Sequence, residues 1–306
     1  MERQAHEMAE NVHNLRIRKR RSDLYVALEK YIFHNTRAKI ALAIILLFTL
    51  VAIFAPLLSP YNPKTIEFVP WQPPSGEHLL GVNSYGQDIL SQTIYGSRIT
   101  MTVGLLAGLL SSMIGVFVGL VSGYIGGRLG EALMRIVDIF LVIPNLALMI
   151  VLAAYLPSMG VFNLVIIIGA LSWLWMARSI RSQTLSEAKR EYVDAAKAVG
   201  KGNLEIMFGE ILPNILPVVT ANMVLVVTSA VLTEATLSFL GIGDPNLISW
   251  GQMLSIAFAN SAIIYNAWWW MLPPGLCIAT LGFSFMLIGN SFLDIYSEDR
   301  GGSVDL

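Results

Sequence analysis

Six apolar segments, each close to the length of a bilayer crossing, limit this chain more than any other feature. They run roughly over Lys39–Leu58, Ile99–Tyr124, Leu133–Leu156, Met159–Met176, Ile215–Leu240 and Trp268–Phe292. About 20 residues of α-helix cover a hydrocarbon core, and a helix satisfies its own backbone polar groups there. Met159–Met176 is at the short end of that range. Charged residues make up only 13% of the chain, and mean hydropathy is +0.63. A soluble domain carries about 25% charged residues. The expected fold class is therefore an all-α integral membrane protein with six transmembrane helices.

Lys and Arg set the expected orientation. With the N-terminus inside, all of the 20 basic residues but Lys64 and Arg98 fall in inner segments. That is the positive-inside pattern, and it predicts that both termini are cytoplasmic. The basic cluster Arg16, Arg18, Lys19, Arg20 and Arg21 fits the cytoplasmic membrane surface better than nucleic acid, since a span follows it. Leu24, Leu28, Tyr31 and Ile32 share a face, which predicts a short interfacial helix. The first apolar run follows too long a polar leader for a signal peptide. The expected organisation is a cytoplasmic basic tail with its interfacial helix (1–37), then the first span with an extracellular segment (38–98). A five-helix core (99–292) follows, containing a cytoplasmic loop at 178–214, and a cytoplasmic tail (293–306) ends the chain.

That loop is polar in an apolar chain. It breaks at Gly200-Lys201-Gly202, and the same pattern stands on each side: Tyr192, Ala195, Ala196 and Val199, then Leu204, Met207, Phe208 and Ile211. Each set falls at i, i+3, i+4 and i+7, which predicts two short helices with one apolar stripe apiece. Gly200 suits a left-handed turn, Asn203 is a candidate cap, and Pro213 is expected to stop the second helix. On pattern alone this is an ordinary cytoplasmic loop with some helix. Asp194-Ala195-Ala196, then Gly200, then Ile211-Leu212-Pro213-Asn214 nevertheless resembles the EAA loop of ABC-importer permeases. The fuller string from Glu191-Tyr192-Val193 is similar to the dipeptide and oligopeptide branch. Asp194 stands where many relatives have Glu, and Glu210 where the branch usually has His. The resemblance implies a type I ABC-importer-like fold whose loop docks on an ATPase through Glu191, Tyr192, Asp194, Ala195, Ala196, Val199, Gly200, Leu204, Met207 and Phe208.

Other stretches carry the same resemblance. The run from His78 to Thr100 is similar to the signature before the second span, with Asn83 and Gln87 in place of the usual Asp and Arg. Leu237–Gly243, Pro245 and Ser249-Trp250-Gly251 are also family-like, whereas Gly289–Asp294 follows the pattern only in part. Gly104, Gly108, Ser111, Gly115, Gly119 and Gly123 form a ladder of small residues that predicts close helix packing. Pro144 is expected to kink its span. Trp250, Leu254, Ala257 and Phe258 predict a short helix on the outer surface, and Trp268-Trp269-Trp270 an interfacial belt.

No phosphate-binding loop, nucleophile elbow or triad is present, so the chain alone is not expected to be an enzyme. His6, His13, His34 and His78 are scattered, and Cys277 is alone in an apolar segment, so no metal site or disulfide is expected. Asp138 and Glu234 lie within predicted spans, where a carboxylate costs about 2.5 kcal/mol or more and should face a cavity or partner. They permit a rival reading, a self-contained ion-coupled transporter. The resemblance implies instead a multi-pass permease of the prokaryotic cell membrane that forms half of a translocation pathway for di- and oligopeptides. Oligosaccharides or nickel complexes are alternative cargo. It further implies a sibling permease, two ATPase subunits carrying ATP and Mg²⁺, an extracellular or periplasmic solute-binding protein, and lipid contact. No cofactor or nucleic acid is expected on this chain.

Overall fold

The computed structural model describes residues 35–156 and 160–301, with side chains as far as Phe292. The basic cluster and the interfacial helix expected before residue 35 lie outside the described residues. Within them the chain is helical and has no strand. The helices are α1 (Thr36–Ile53), α2 (Ala55–Leu58), α3 (Ile89–Tyr124), α4 (Gly127–Val142), α5 (Asn145–Ala154) and α6 (Val161–Leu171). There follow α7 (Leu174–Glu187), α8 (Glu191–Ala198), α9 (Asn203–Glu205), α10 (Leu212–Phe239), α11 (Trp250–Ala259) and α12 (Trp268–Gly301).

Four helical stretches are long and apolar enough to cross a membrane singly: α1, α3, Asn203–Phe239 and the Trp268–Phe292 part of α12. Two further pairs qualify only when each is taken as one bent span. The pair α4–α5 turns through 86° at Ile143-Pro144, far more than the kink expected there. Pro144 lacks an N–H and biases Ile143 to extended backbone (ψ 129°), so α4 ends outright and α5 starts anew. The pair α6–α7 bends by 42°, and α7 runs on to Glu187, well past the expected limit at Met176.

Helix α3 is the centre of the bundle, touching α1, α6, α7, α10 and α11. It begins ten residues earlier than the apolar pattern alone indicates. Asp88 accounts for the start, because its carboxylate accepts from the Ser91 N–H at 2.7 Å and from the Ser91 hydroxyl at 2.7 Å. The other carboxylate oxygen of Asp88 lies 2.9 Å from Nδ1 of buried His78. The small-residue ladder packs as predicted, but against two partners. Gly104 and Gly108 face Val231 and Val227 of α10, whereas Gly115, Gly119 and Gly123 face Met176, Ile180 and Thr184 of α7. A four-residue step advances about 40° around a helix of 3.6 residues per turn, so the stripe drifts from one neighbour to the next.

Residues 59–88 form a folded strap over the N-terminal end of α3. Tyr61, Phe68 and His78 stack at its centre, and Trp71 meets Trp270 edge-on at 5.7 Å. Trp270 is therefore buried, and of the expected interfacial belt Trp268 is exposed and Trp269 half-buried. The expected short helix α11 forms and packs through one face, with Trp250, Met253 and Ala257 buried and Phe258 exposed. Trp250 lies over Gly96 of α3 and donates from Nε1 to the Thr93 carbonyl at 2.8 Å. The absence of a Cβ at Gly96 and Gly251 gives α11 room between α3 and α10.

Asn83 and Gln87 are bonded to each other. Nδ2 of Asn83 donates to Oε1 of Gln87 at 2.9 Å, and Gln92 donates to the same oxygen at 2.8 Å. A pair of neutral amides thus stands where two opposite charges are usual, and it needs no desolvated ions. Asn83→Asp alone should leave a buried charge unpaired and cost about 3 kcal/mol. Asn83→Asp with Gln87→Arg should recover most of that. Melting temperatures of the four-member cycle in detergent test this, and equal losses in both variants would refute it.

Candidate functional site

The Glu191–Asn214 loop lies at the end of the bundle opposite the strap, where α3 ends and α7 and α10 approach each other. Helix α8 starts with Glu191 and Asp194 in its first turn and has Lys197 in its last, charges that favour their respective helix ends. Its C-terminus closes in a Schellman turn: the Gly200 N–H bonds the Lys197 carbonyl at 2.9 Å, and the Lys201 N–H bonds the Ala196 carbonyl at 3.1 Å. Gly200 has φ +86°, the left-handed conformation expected from sequence.

Lys201 fastens the turn. Its ammonium lies 2.8 Å from Glu210 and 3.6 Å from Glu205. The hydrogen bond to Glu210 is the chief reason its pKa is held above the usual lysine value. This contribution is complete below the ordinary lysine range and fades only as pH rises through the raised value, so the staple is constant near neutrality. Glu210 therefore has a structural partner here. The spacing of Lys201, Glu205 and Glu210 carried that signal, and the apolar stripes drew attention away from it.

The stripes themselves need correction. Ala196 does not face outward with Ala195 and Val199. It is buried with Val193 against Ile206, Ile211 and Ile180. Val199 is 76% exposed, and Ala195 is exposed too. Tyr192 is half-buried and donates its hydroxyl to Glu187 at 3.0 Å. Beyond the turn, Met207 and Ile211 point inward while Leu204 (66%) and Phe208 (43%) are exposed. The predicted stripe splits because Ile206–Ile211 is a π-helical turn, wider than the α-helix on which the spacing was read. Asn203 does not cap this helix; Gly202 occupies the cap position, and the Asn203 side chain accepts from the Tyr124 hydroxyl at 3.5 Å. Pro213 does not stop it either. It lies in the first turn of α10, where its missing N–H is tolerated, and Asn214 donates to the Glu210 carbonyl at 2.6 Å.

The loop thus presents Ala195, Val199, Leu204 and Phe208 as exposed apolar groups on a packed support. Glu191, Asp194 and Gly200 are exposed beside them, and Ala196 and Met207 belong to that support. Among the described residues no group of three or more His, Cys, Asp or Glu side chains is placed to hold a metal ion.

The two acids of the rival reading have separate partners. Asp138 of α4 pairs with Arg178 of α7, and both side chains remain about half exposed. Glu234 of α10 is fully buried and accepts from the Ser238 hydroxyl at 2.8 Å.

The family described as binding-protein-dependent transport system inner membrane component matches residues 115–296. A second, described as the N-terminal transmembrane domain of oligopeptide transport permease C, matches residues 30–74. The oligopeptide transport system permease protein OppC of Bacillus subtilis (strain 168) is 38% identical over 263 residues, covering 85% of either chain. The dipeptide transport system permease protein DppC of Escherichia coli (strain K12) is 40% identical over 275 residues, covering 86% of this chain and 89% of its own. The di/tripeptide transport system permease protein DppC of Pseudomonas aeruginosa (strain UCBPP-PA14) is 35% identical over 270 residues, covering 85% and 88%.

Proposed function

The chain belongs to the family of binding-protein-dependent transport system inner membrane components, and on that premise we propose that it is a peptide permease driven by a separate ATPase. The observation that carries this reading is the loop, whose exposed apolar groups stand on a stapled base between the two helices that would have to move. In this reading each bent pair, α4–α5 and α6–α7, makes one crossing, giving six in all with both termini in the cytoplasm. The loop is then cytoplasmic, and the strap and α11 are extracellular. Closure of two ATPase subunits on ATP and Mg²⁺ would displace the loop and switch the bundle, together with a sibling permease, between outward- and inward-facing states. A solute-binding protein would deliver cargo at the strap. Di- and oligopeptides follow from what the relatives are named for; oligosaccharides or nickel complexes would use the same machinery.

Reconstitution tests the reading. Uptake by the four-component complex in liposomes should need ATP and loaded binding protein and should ignore an uncoupler while ATP is held constant. Uptake by this chain alone, collapsing with the proton gradient, would establish the ion-coupled rival. Orientation is tested separately in a Cys277→Ser background. Ile264→Cys should react with an impermeant thiol reagent on intact cells, and Ser186→Cys only after the membrane is opened; the reverse pattern would remove the loop from the ATPase.

A further inference from the structure

Lys64 and Arg98 are the two basic residues that break the inward bias of charge, and the fold brings both to one cavity. It has a volume of about 680 Å³ and lies between the strap, α3 and the segment before α11. Arg98 and Tyr95 enter it from α3, Lys64 and Tyr61 from the strap, and Asn246 from the segment before α11. No Asp or Glu lines it, and neither cation forms an ion pair among the described residues. Its remaining walls are mixed, with Ser59, Asn62 and Thr102 beside prolines, Ile99, Val161 and Leu247. Its volume falls in the range of small-molecule sites, about 300–1,000 Å³, and its two unpaired cations suit an anionic group.

We propose that this cavity receives the carboxylate end of a peptide as it enters the permease, with Arg98 and Lys64 as the groups that recognise it. The proposal rests on the transport reading above. A planar guanidinium pairs two oxygens of a carboxylate at once, and a second cation nearby adds a point charge. The tyrosine and aliphatic walls suit the adjoining side chain. Because no acid lines the cavity, the ammonium end of a peptide finds no ion pair there, which favours entry by the carboxylate end. The cavity also lies at the strap end, away from the ATP-coupled loop, where cargo arrives in the proposed orientation. Both cations are exposed rather than desolvated, so binding should be weak enough for release.

The test uses the complete complex in liposomes, with binding protein saturated by alanyl-alanine or by alanyl-alaninamide so that its own preference drops out. The parent should carry the free acid about fivefold faster than the amide, the upper value of an exposed ion pair. Arg98→Gln with Lys64→Gln should lose that advantage, with amide uptake unchanged. Equal loss for both peptides would overturn the proposal and make the two cations structural or docking groups. A parent rate that depends on anionic lipid, with variants that no longer respond to it, would assign the cations to a lipid phosphate and overturn it as well. A parent complex that carries neither peptide refutes the peptide reading on which the proposal rests, whatever other cargo it moves.

Discussion

Phe208→Asp is expected to abolish ATP-coupled uptake while leaving the chain folded, inserted and paired. Phe208 is 43% exposed on a loop whose inward residues, Ile206 and Met207, are already fully packed. Its exposed part packs on nothing in this chain, but a carboxylate in an apolar partner groove would be desolvated without a counterion. Central aromatic contacts are worth 2 kcal/mol or more, so docking should weaken by about 30-fold at least. Leu204→Asp should act alike. Ala196→Glu is the control with a different cause. Ala196 is buried in its own chain, so the charge should detach α8 from Ile206 and Ile211 and lower the melting temperature. Gly200→Val lies between these. A Cβ there meets nothing within 4 Å, so its cost is the left-handed backbone alone, about 1–2 kcal/mol. Stimulated ATP hydrolysis, uptake and melting temperature, measured together, separate the three. If Phe208→Asp and Leu204→Asp couple like the parent, this loop does not dock.

The second large effect is expected in the seam between α3 and α10, where two neighbouring glycines should behave differently. A Cβ at Gly108 would stand 2.8 Å from the Cα of Val227, so backbone must move. At Gly104 the backbone Cα of Val231 is 3.3 Å away, and the closest atom is a side-chain methyl. Gly108→Ala should therefore destabilise by about 3 kcal/mol, and trimming Val227→Ala should not repair it. Gly104→Ala should also destabilise, but Val231→Ala should restore much of the loss. Melting temperatures of both pairs decide the matter, and equal rescue at the two sites would contradict the packing described.

Much of the architecture was legible because apolar segments of membrane length have few alternatives. The helical class, the glycine seam and the left-handed Gly200 all followed from residue type and spacing. Two kinds of feature did not. The start of α3 was hidden because Ser91, Gln92, Ser97 and Arg98 make its first turns polar, and only the Asp88 cap marks it. The second half of the loop faces otherwise than its stripe indicates because the backbone widens to a π-turn through Ile206–Ile211, whereas on α8 the buried side is Val193 and Ala196. Burial of Trp250 and Trp270 was equally invisible, since the strap that covers them comes from residues far away in sequence. The breaks at Pro144 and at Ser172-Trp173 divide into one foreseen and one not. Proline announces itself, whereas the second break carries no residue that requires it.

The drift of small residues around α3 has a mechanical consequence. The loop is entered from α7 and left through α10, and both helices lie at backbone range against the same rod, at Gly119 and Gly108. Force applied at the loop cannot stretch it, because its two anchorages are fixed to a common shaft. In the proposed cycle the three helices would swing as one stiff body. Stiffness, rather than any single contact, would set how much of each ATPase stroke reaches the pathway. Loosening the seam while sparing the loop should let the motor idle, burning ATP with little cargo moved per cycle.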